Sequence, residues 1–499
     1  MGKHTAKKGK PGNHAKRTPQ AAAPARILLQ VEHDQLAALF NGGRHGELEI
    51  LAHRLTERYP ENGFVWMMLG LSLQMQGRDG LPALRRAAEV APDDAEIQNN
   101  LGNILCELGL LDESVQSCRR ALAINPAFAA AHYNLGNALG KLGQIEAAVA
   151  SYRQAVALKP DYAQAYYNMG IKLQALGRLD EAMTSYRCAV EIEPAFALAH
   201  NNLGNLLREI GQYEAAISSY RRMVEIQPNE AIGYSNLCNV LREAGKHEEA
   251  VANCRRALEL KPDYAEAWSN LGVALQEQGR LEEAIACCRR ALEVEPDFID
   301  VYYNLGTNLQ KLGETEAAAS SYRCALKLKP EFAQAWSNLG VSLKELGELD
   351  EAIASFLRAL SLKPDFAEAR CNLGVVQQDQ GKLDEAIASF LHGLSLKPDY
   401  AEGYSNLLFA LNYHPDKSDE EILAVSRDYE ARFGAPRRAA WQPHGNSRVS
   451  SRRLKVGYVS PDFRSHAAAY FAEPILANHD RTQVEIYGCV RKSCWWLTW

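Results

Sequence analysis

Apolar residues recur along most of this chain at helical spacing, and the pattern resets every 34 residues. In residues 263–296, Trp268, Leu271, Gly272 and Leu275 follow an i, i+3, i+4, i+7 template, which predicts one apolar stripe on a first helix. Gly279 predicts the end of that helix, because glycine takes the left-handed cap conformation without a Cβ penalty. A second helix is predicted from Leu281, with Glu282 and Glu283 near its positive N-terminal end and Arg289 and Arg290 towards its negative end. Its stripe is Ala284, Cys288, Ala291 and Leu292, and Pro296 prevents continuation. Gly272 inside a helix costs about 1 kcal/mol relative to Ala. That cost is tolerable if Gly272 and Ala284 let the two helices approach closely.

Three series share the period: ten prolines from Pro92 to Pro398, an Asn-Leu-Gly series beginning at Asn100, and glycines from Gly109 to Gly381. Neither helix of a unit can bury its stripe alone, whereas stacked hairpins share a continuous core. Residues 93–398 therefore divide into nine regular units. Leu69-Gly70 to Pro92 fits a unit shortened by two residues and a weaker one starts near Ile27, so 27–92 reads as irregular capping units. After Pro398 the period fails, because Leu408 replaces glycine and Pro415 interrupts. Ser418-x-x-Glu421 then reads as a capping box for a last helix ending near Gly434, which makes 399–434 a partial unit plus a cap. The spacing of Trp268, Leu271-Gly272, Ala284, Ala291 and Pro296 resembles the tetratricopeptide repeat (TPR). The resemblance implies an all-α fold class, a solenoid of helical hairpins wound as a right-handed superhelix.

One slot never varies. It holds Asn100, Asn134, Asn168, Asn202, Asn236, Asn270, Asn304, Asn338, Asn372 and Asn406, while neighbouring core slots accept Met169 for Leu and Cys238 for Gly. Asn is a mediocre helix former, so propensity does not explain it. Helical geometry sets Asn270 about 100° from Leu271, at the flank of the buried stripe. Stacking would line the amides along one surface, where each offers a donor and an acceptor to a peptide backbone. At about 1 kcal/mol net per bond, the series would give an additive, sequence-tolerant grip on extended polypeptide. The alternative is that each Asn bonds a neighbouring helix and fixes the repeat. Tyr166, Tyr167, Tyr302 and Tyr303 border the slot and are expected to serve packing.

Composition adds limits. The 499 residues carry a net charge of −6, with 47% hydrophobic and 23% charged residues, an ordinary soluble balance that excludes a wholly disordered chain. Mild acidity gives no support for a nucleic-acid partner, and no apolar run of about 18 residues indicates a membrane span. A cytoplasmic location is expected. Residues 1–26 carry seven basic residues and no acid, and lack the apolar region of a secretory signal, so they read as a disordered basic tail. Eleven cysteines are too sparse for a disulfide scaffold, and no metal-ligand spacing occurs among them. Cys118, Cys254 and Cys288 fall in the slot that holds Tyr152, Tyr186 or Phe356 elsewhere, which predicts core thiols of a reducing compartment.

The C-terminal residues follow another pattern. Residues 435–453 hold five Arg, two Pro and no acid, so 435–452 reads as a linker. Within 453–499, Leu454–Val459 predicts a strand, Ala467–Ala477 a helix bent at Pro474, and Val484–Tyr487 a second strand, the opening of a parallel α/β domain. The stretch RLKVGYVSPDFRSHAAAYFAEPILANHDRTQVEIYG resembles the start of the catalytic region of the protein O-GlcNAc transferase family, including its SPINDLY-like members. That family joins a TPR superhelix to a two-lobed GT-B glycosyltransferase and moves sugar from a nucleotide sugar to Ser or Thr of proteins. The resemblance implies UDP-GlcNAc, or alternatively GDP-fucose, as donor. It also implies an asparagine ladder that binds substrate polypeptide, and places His466 as the active-site histidine of the Ser-Pro-Asp-Phe-x-x-His segment. No partner for proton shuttling by His466 is identifiable. Three of the seven tryptophans fall in the final five residues, a composition that reads as out-of-frame translation. Most of the family's catalytic region has no counterpart here, so the expectation is a polypeptide-binding TPR arm on a truncated remnant of a GT-B domain, without transferase activity. A non-enzymatic TPR scaffold is the alternative.

Overall fold

The computed structural model describes residues 28–438, 454–459, 484–490 and 493–496, in two compact units that meet at Gln380 and Gly381. In the first unit, helices Gln30–Asn41 and His45–Arg58 form one pair and Gly63–Met75 and Leu81–Val90 the next. From Ala95–Glu107 and Leu111–Ile124 onward the pairs recur every 34 residues, up to the helix Ala367–Asp379. The result is the all-helical hairpin solenoid that the stripes predict.

Residues 265–294 show how the sequence makes a pair. The first helix runs Ala265–Glu277 and gives way to Gly279 at φ 76°, a conformation a side chain would strain. The second runs Leu281–Val294. Its start has no side-chain cap; instead the Arg280 guanidinium donates to both carboxylate oxygens of Glu283 at 2.7 Å, which holds that carboxyl below its ordinary range. Leu271, Leu275, Ala284, Cys288 and Ala291 are buried between the helices.

The glycine of the Leu-Gly pair is a close-approach residue. A Cβ on Gly136 would stand 2.7 Å from Cε1 of Tyr152, and one on Gly340 would stand 2.9 Å from Cζ of Phe356. Where the second helix carries an aromatic ring in this slot, the ring therefore lies on the backbone of the first. The large residue four positions earlier has a polar task. Trp268 Nε1 donates to the Pro262 carbonyl at 2.9 Å, Trp336 Nε1 to that of Pro330 at 2.8 Å, and the Tyr234 hydroxyl to that of Pro228 at 3.3 Å. The proline series thus supplies both a stop and an acceptor.

Cys118 and Cys288 are buried slot fillers, as expected, and burial pushes both thiols up to about 12. Cys254 departs from the expectation of a core thiol. It is joined to Cys238 in a disulfide with the Cα atoms 5.3 Å apart. The expectation treated each cysteine by its own slot, whereas the bond depends on two slots facing each other.

The second unit contains helices Leu383–Leu396, Ala401–Tyr413 and Asp419–Tyr429. Ser418 and Glu421 form the predicted capping box, with Ser418 N–H donating to Glu421 Oε2 at 3.0 Å and Glu421 N–H to Ser418 Oγ at 3.3 Å. A π-helical turn Glu430–Gly434 and a short helix Ala435–Arg438 follow, so the segment read as linker begins with helical backbone. Strand β1 (Leu454–Val459) pairs parallel with β2 (Val484–Val490), Leu454 opposite Val484, and β2 pairs antiparallel with β3 (Ser493–Trp496). The second strand runs three residues past the predicted end, and the third lies in the tryptophan-rich stretch read as out of frame. The basic tail, residues 439–452 and the helix expected at 467–477 lie outside the described residues. Among the described residues no helix is long and apolar enough to cross a membrane.

Candidate polypeptide-binding face

The invariant asparagines of the first unit sit at the sixth position of each first helix. Eight of them, at 100, 168, 202, 236, 270, 304, 338 and 372, are half-buried, and Asn134 is buried. Asn406 belongs to the second unit and is half-buried on Ala401–Tyr413.

Seven of the amide nitrogens donate to the preceding repeat. Asn134 Nδ2 donates to Asn99 Oδ1 at 2.8 Å, Asn236 to Asn201 Oδ1 at 2.8 Å and Asn270 to Ser235 Oγ at 3.1 Å. Asn168, Asn202 and Asn338 donate to the phenol oxygens of Tyr133, Tyr167 and Tyr303 at 3.2, 3.2 and 3.1 Å. Asn100 reaches the Met67 sulfur. Six of these seven acceptors lie 35 residues back, immediately before the preceding asparagine. Reading the sequence one helix at a time missed this acceptor slot. Its signal was present: Asn99, Tyr133, Tyr167, Asn201, Ser235, Ser269, Tyr303 and Ser337 all carry a side-chain oxygen. Of the flanking tyrosines, Tyr167 and Tyr303 thus serve as acceptors between repeats.

A second polar row stands one turn on. Asn137 Oδ1 accepts from the Tyr152 hydroxyl at 2.7 Å and from Asn168 Nδ2 at 3.0 Å, and Asn205 Oδ1 accepts from the Tyr220 hydroxyl at 2.5 Å. Burial raises these phenols, Tyr220 to about 12, so they stay neutral donors at physiological pH. The row changes along the unit: asparagine at 103, 137, 205 and 239, interrupted by Ile171, gives way to Val273, Thr307, Val341 and Val375. Four positions before the ladder, Glu96 is followed by Ala130, Gln164, Leu198 and Ile232, and these by Glu266, Asp300, Gln334 and Glu368. Leu198 and Ile232 are exposed apolar side chains. Arg208 and Arg242 bridge to Glu243 and Glu277 at 3.0 Å across successive first helices, beside Asn205 and Asn239. The face therefore pairs a constant amide row with flanks that differ from repeat to repeat.

His466 lies outside the described residues. Among the described residues no group of three or more His, Cys, Asp or Glu side chains is arranged to hold a metal ion.

Comparison with known proteins gives the same period. The tetratricopeptide repeat matches residues 197–230, 265–298 and 367–400, and a further TPR-repeat family matches 102–143, 141–177, 172–208, 238–279, 309–347 and 342–381. A probable UDP-N-acetylglucosamine–peptide N-acetylglucosaminyltransferase SPINDLY of Solanum lycopersicum is 39% identical over 92 residues, 18% of this chain and 10% of the relative. The protein of the same name from Hordeum vulgare is 38% identical over 90 residues, 18% of this chain and 9% of the relative. The matched region thus spans about a tenth of the length of these relatives. Among solved structures, YrrB, described as a TPR protein with an unusual peptide-binding site, is 27% identical, with 37% of this chain and 96% of that one covered at a TM-score of 0.34. MamA is 25% identical, with 33% and 97% covered at a TM-score of 0.32. The repeat matches take in most of residues 102–400, and the chain belongs to the tetratricopeptide-repeat proteins, with an array like that of the SPINDLY and O-GlcNAc transferase relatives.

Proposed function

We propose that the array holds extended polypeptide along its asparagine face and serves as the acceptor-binding arm of a protein O-glycosyltransferase of the SPINDLY and O-GlcNAc transferase kind. The observation that carries the reading is the invariant amide on nine successive first helices, flanked by positions that vary. The engaged amide nitrogens hold neighbouring repeats together, and the carbonyl oxygens, that of Asn202 apart because it accepts from Asn201, are the atoms offered to backbone N–H groups of a bound chain. Binding through many such bonds tolerates sequence, which suits an enzyme that modifies many proteins. The name of the matched relatives, a peptide N-acetylglucosaminyltransferase, supports the assignment to glycosyl transfer. In this reading residues 453–499 begin a GT-B catalytic region, the parallel β1–β2 pair suits its opening, and His466 is the active-site histidine by resemblance of its segment to the family. The donor is a nucleotide sugar, UDP-GlcNAc or, alternatively, GDP-fucose.

The second reading, a TPR scaffold in which the asparagines only fix the repeat, is favoured by the engaged amide nitrogens. A fluorescence-anisotropy titration of an unstructured Ser/Thr-rich peptide separates the two. Asn270→Ala with Asn304→Ala should weaken binding about tenfold, from two bonds of about 1 kcal/mol each, partly compensated by water. Ser235→Ala removes the acceptor of Asn270 and leaves the amide. It should lower stability and, by releasing the amide nitrogen that steadies the carbonyl, weaken binding less than loss of the whole amide does. Unchanged peptide affinity in the double variant, with a lowered melting temperature, would assign the asparagines to the scaffold role.

A further inference from the structure

The geometry points to Cys238 and Cys254 as a reversible oxidation site, a cross-link that takes the place of glycine–aromatic packing in one repeat of the array. The other repeats serve as internal controls. The slot of Cys238 is glycine at 102, 136, 170, 204, 272, 306, 340 and 374. Where the facing slot holds a ring, that glycine is sterically required. A Cβ on Gly170, Gly204 or Gly306 would stand 2.6, 2.8 or 2.7 Å from the facing tyrosine ring. A side chain is admitted at 238 because residue 254 carries no ring. The converse does not hold: Cys118 and Cys288 also replace the ring, yet face Gly102 and Gly272 and remain thiols. Both departures thus fall in one repeat, at positions whose Cα atoms are 5.3 Å apart, within the span a disulfide bridges.

The chemistry is thiol–disulfide exchange. The two thiols give up two protons and two electrons as the Cys238–Cys254 bond forms. A low-molecular-weight disulfide such as oxidised glutathione accepts them, its own S–S bond breaking to release two thiols by way of a mixed disulfide. Both sulfur-bearing residues are fully buried, so exchange requires the helices Ala231–Glu243 and His247–Leu260 to part. The site therefore responds to redox conditions through local opening.

Its effect reaches beyond one repeat. The helix Ala231–Glu243 carries both Asn236, bonded back to Asn201, and Ser235, which accepts from Asn270. In an array where each repeat contacts its neighbours, a clamped central repeat couples the two halves and a loosened one divides them.

The test uses the full chain. After incubation with oxidised glutathione, blocking of free thiols with iodoacetamide in denaturant and digestion, mass spectrometry should find the peptides of Cys238 and Cys254 linked. Hydrogen exchange should then show that dithiothreitol speeds amide exchange in 231–260 more than in 197–226 or 265–294. Cys238→Gly with Cys254→Tyr rebuilds the sibling pair and should make exchange there insensitive to dithiothreitol. Quantitative alkylation of both cysteines after the oxidant, no change in exchange on reduction, or retained sensitivity in the double variant would each overturn the inference.

Discussion

The close approach of the paired helices makes one substitution change sign between repeats. Replacing a helical glycine with alanine gains about 1 kcal/mol of helix propensity. At Gly272 the new Cβ would meet Ala284 O at 3.3 Å, Cys287 Cβ at 3.4 Å and Cys288 Sγ at 3.5 Å, contacts relieved by shifts of tenths of an ångström. Gly272→Ala is therefore expected to be neutral or to stabilise, by up to about 1 kcal/mol. At Gly136 the same Cβ would meet Tyr152 at 2.7, 2.8 and 3.0 Å. That ring is 1% exposed and its hydroxyl is held by Asn137 at 2.7 Å, so it cannot swing away. Over-packing of this kind costs about 1–3 kcal/mol, and with the ring pinned the cost falls above the propensity gain of about 1 kcal/mol, so Gly136→Ala should destabilise its repeat by up to about 2 kcal/mol. Repeat arrays need not melt as one unit, so the assay is native-state hydrogen exchange, comparing 129–158 and 265–294. Equal effects of the two substitutions, or a stabilising Gly136→Ala, would refute the account of why glycine occupies this slot.

Other expectations follow from buried titratable groups and surface ions. The Tyr220 phenol is raised to about 12 by burial, so the unfolded chain ionises first as pH climbs past about 10, and stability falls between those values. Tyr220→Phe should lose about 1 kcal/mol at neutral pH with its bond to Asn205. A pH series of circular-dichroism melts should nevertheless show a flatter alkaline limb for the variant. His200 is held below its ordinary pKa by burial, opposed by its bond to the Pro194 carbonyl, with Arg222 adding to the depression. Its contribution is complete above about pH 6.5 and is lost as pH falls, so His200→Gln should blunt acid destabilisation in the same melts. Glu181 is paired with Arg153 and Arg178 on an exposed face, and Glu181→Gln should leave exchange in 145–192 at wild-type values.

What the sequence reveals here depends on the range of the interaction. The ends of the helices are local matters, and Gly279 and the Ser418–Glu421 box act where the pattern puts them. The helix-to-helix fit within a repeat was legible too, because Gly272 and Ala284 are small where two stripes must meet. Contacts that cross repeats were not. The acceptor of Asn270 is Ser235, which on its own helix is an unremarked polar residue beside the stripe. One contact within a repeat was hidden as well: the Cys238–Cys254 bond needs two departures from the consensus to be weighed together, whereas inspection slot by slot gives two separate fillers. The donor role of Trp268 and Trp336 toward the proline carbonyls was hidden because a large ring on a stripe reads as apolar bulk.

The acceptor slot bears on why the ladder residue is asparagine in every repeat. Its partners range over a methionine sulfur, amide oxygens, a serine hydroxyl and tyrosine phenols. A bond that tolerates such varied acceptors requires only a donor of the right reach. Aspartate fails that requirement because an ionised carboxylate donates nothing, and serine is shorter. Glutamine would satisfy it with one more methylene and a small adjustment, and is the better helix former. Stacking alone therefore explains why the slot holds a donor, and leaves unexplained why it holds the same one ten times while the acceptors drift. In the proposed reading a bound backbone supplies the missing constraint. It presents N–H groups at a fixed repeat, so the carbonyl oxygens that receive them must keep one position from repeat to repeat. Only a short amide fixed at its nitrogen by the repeat behind it holds that oxygen still. In that arrangement the bonds between repeats prepare the binding face, and the two roles of the asparagine are one mechanism.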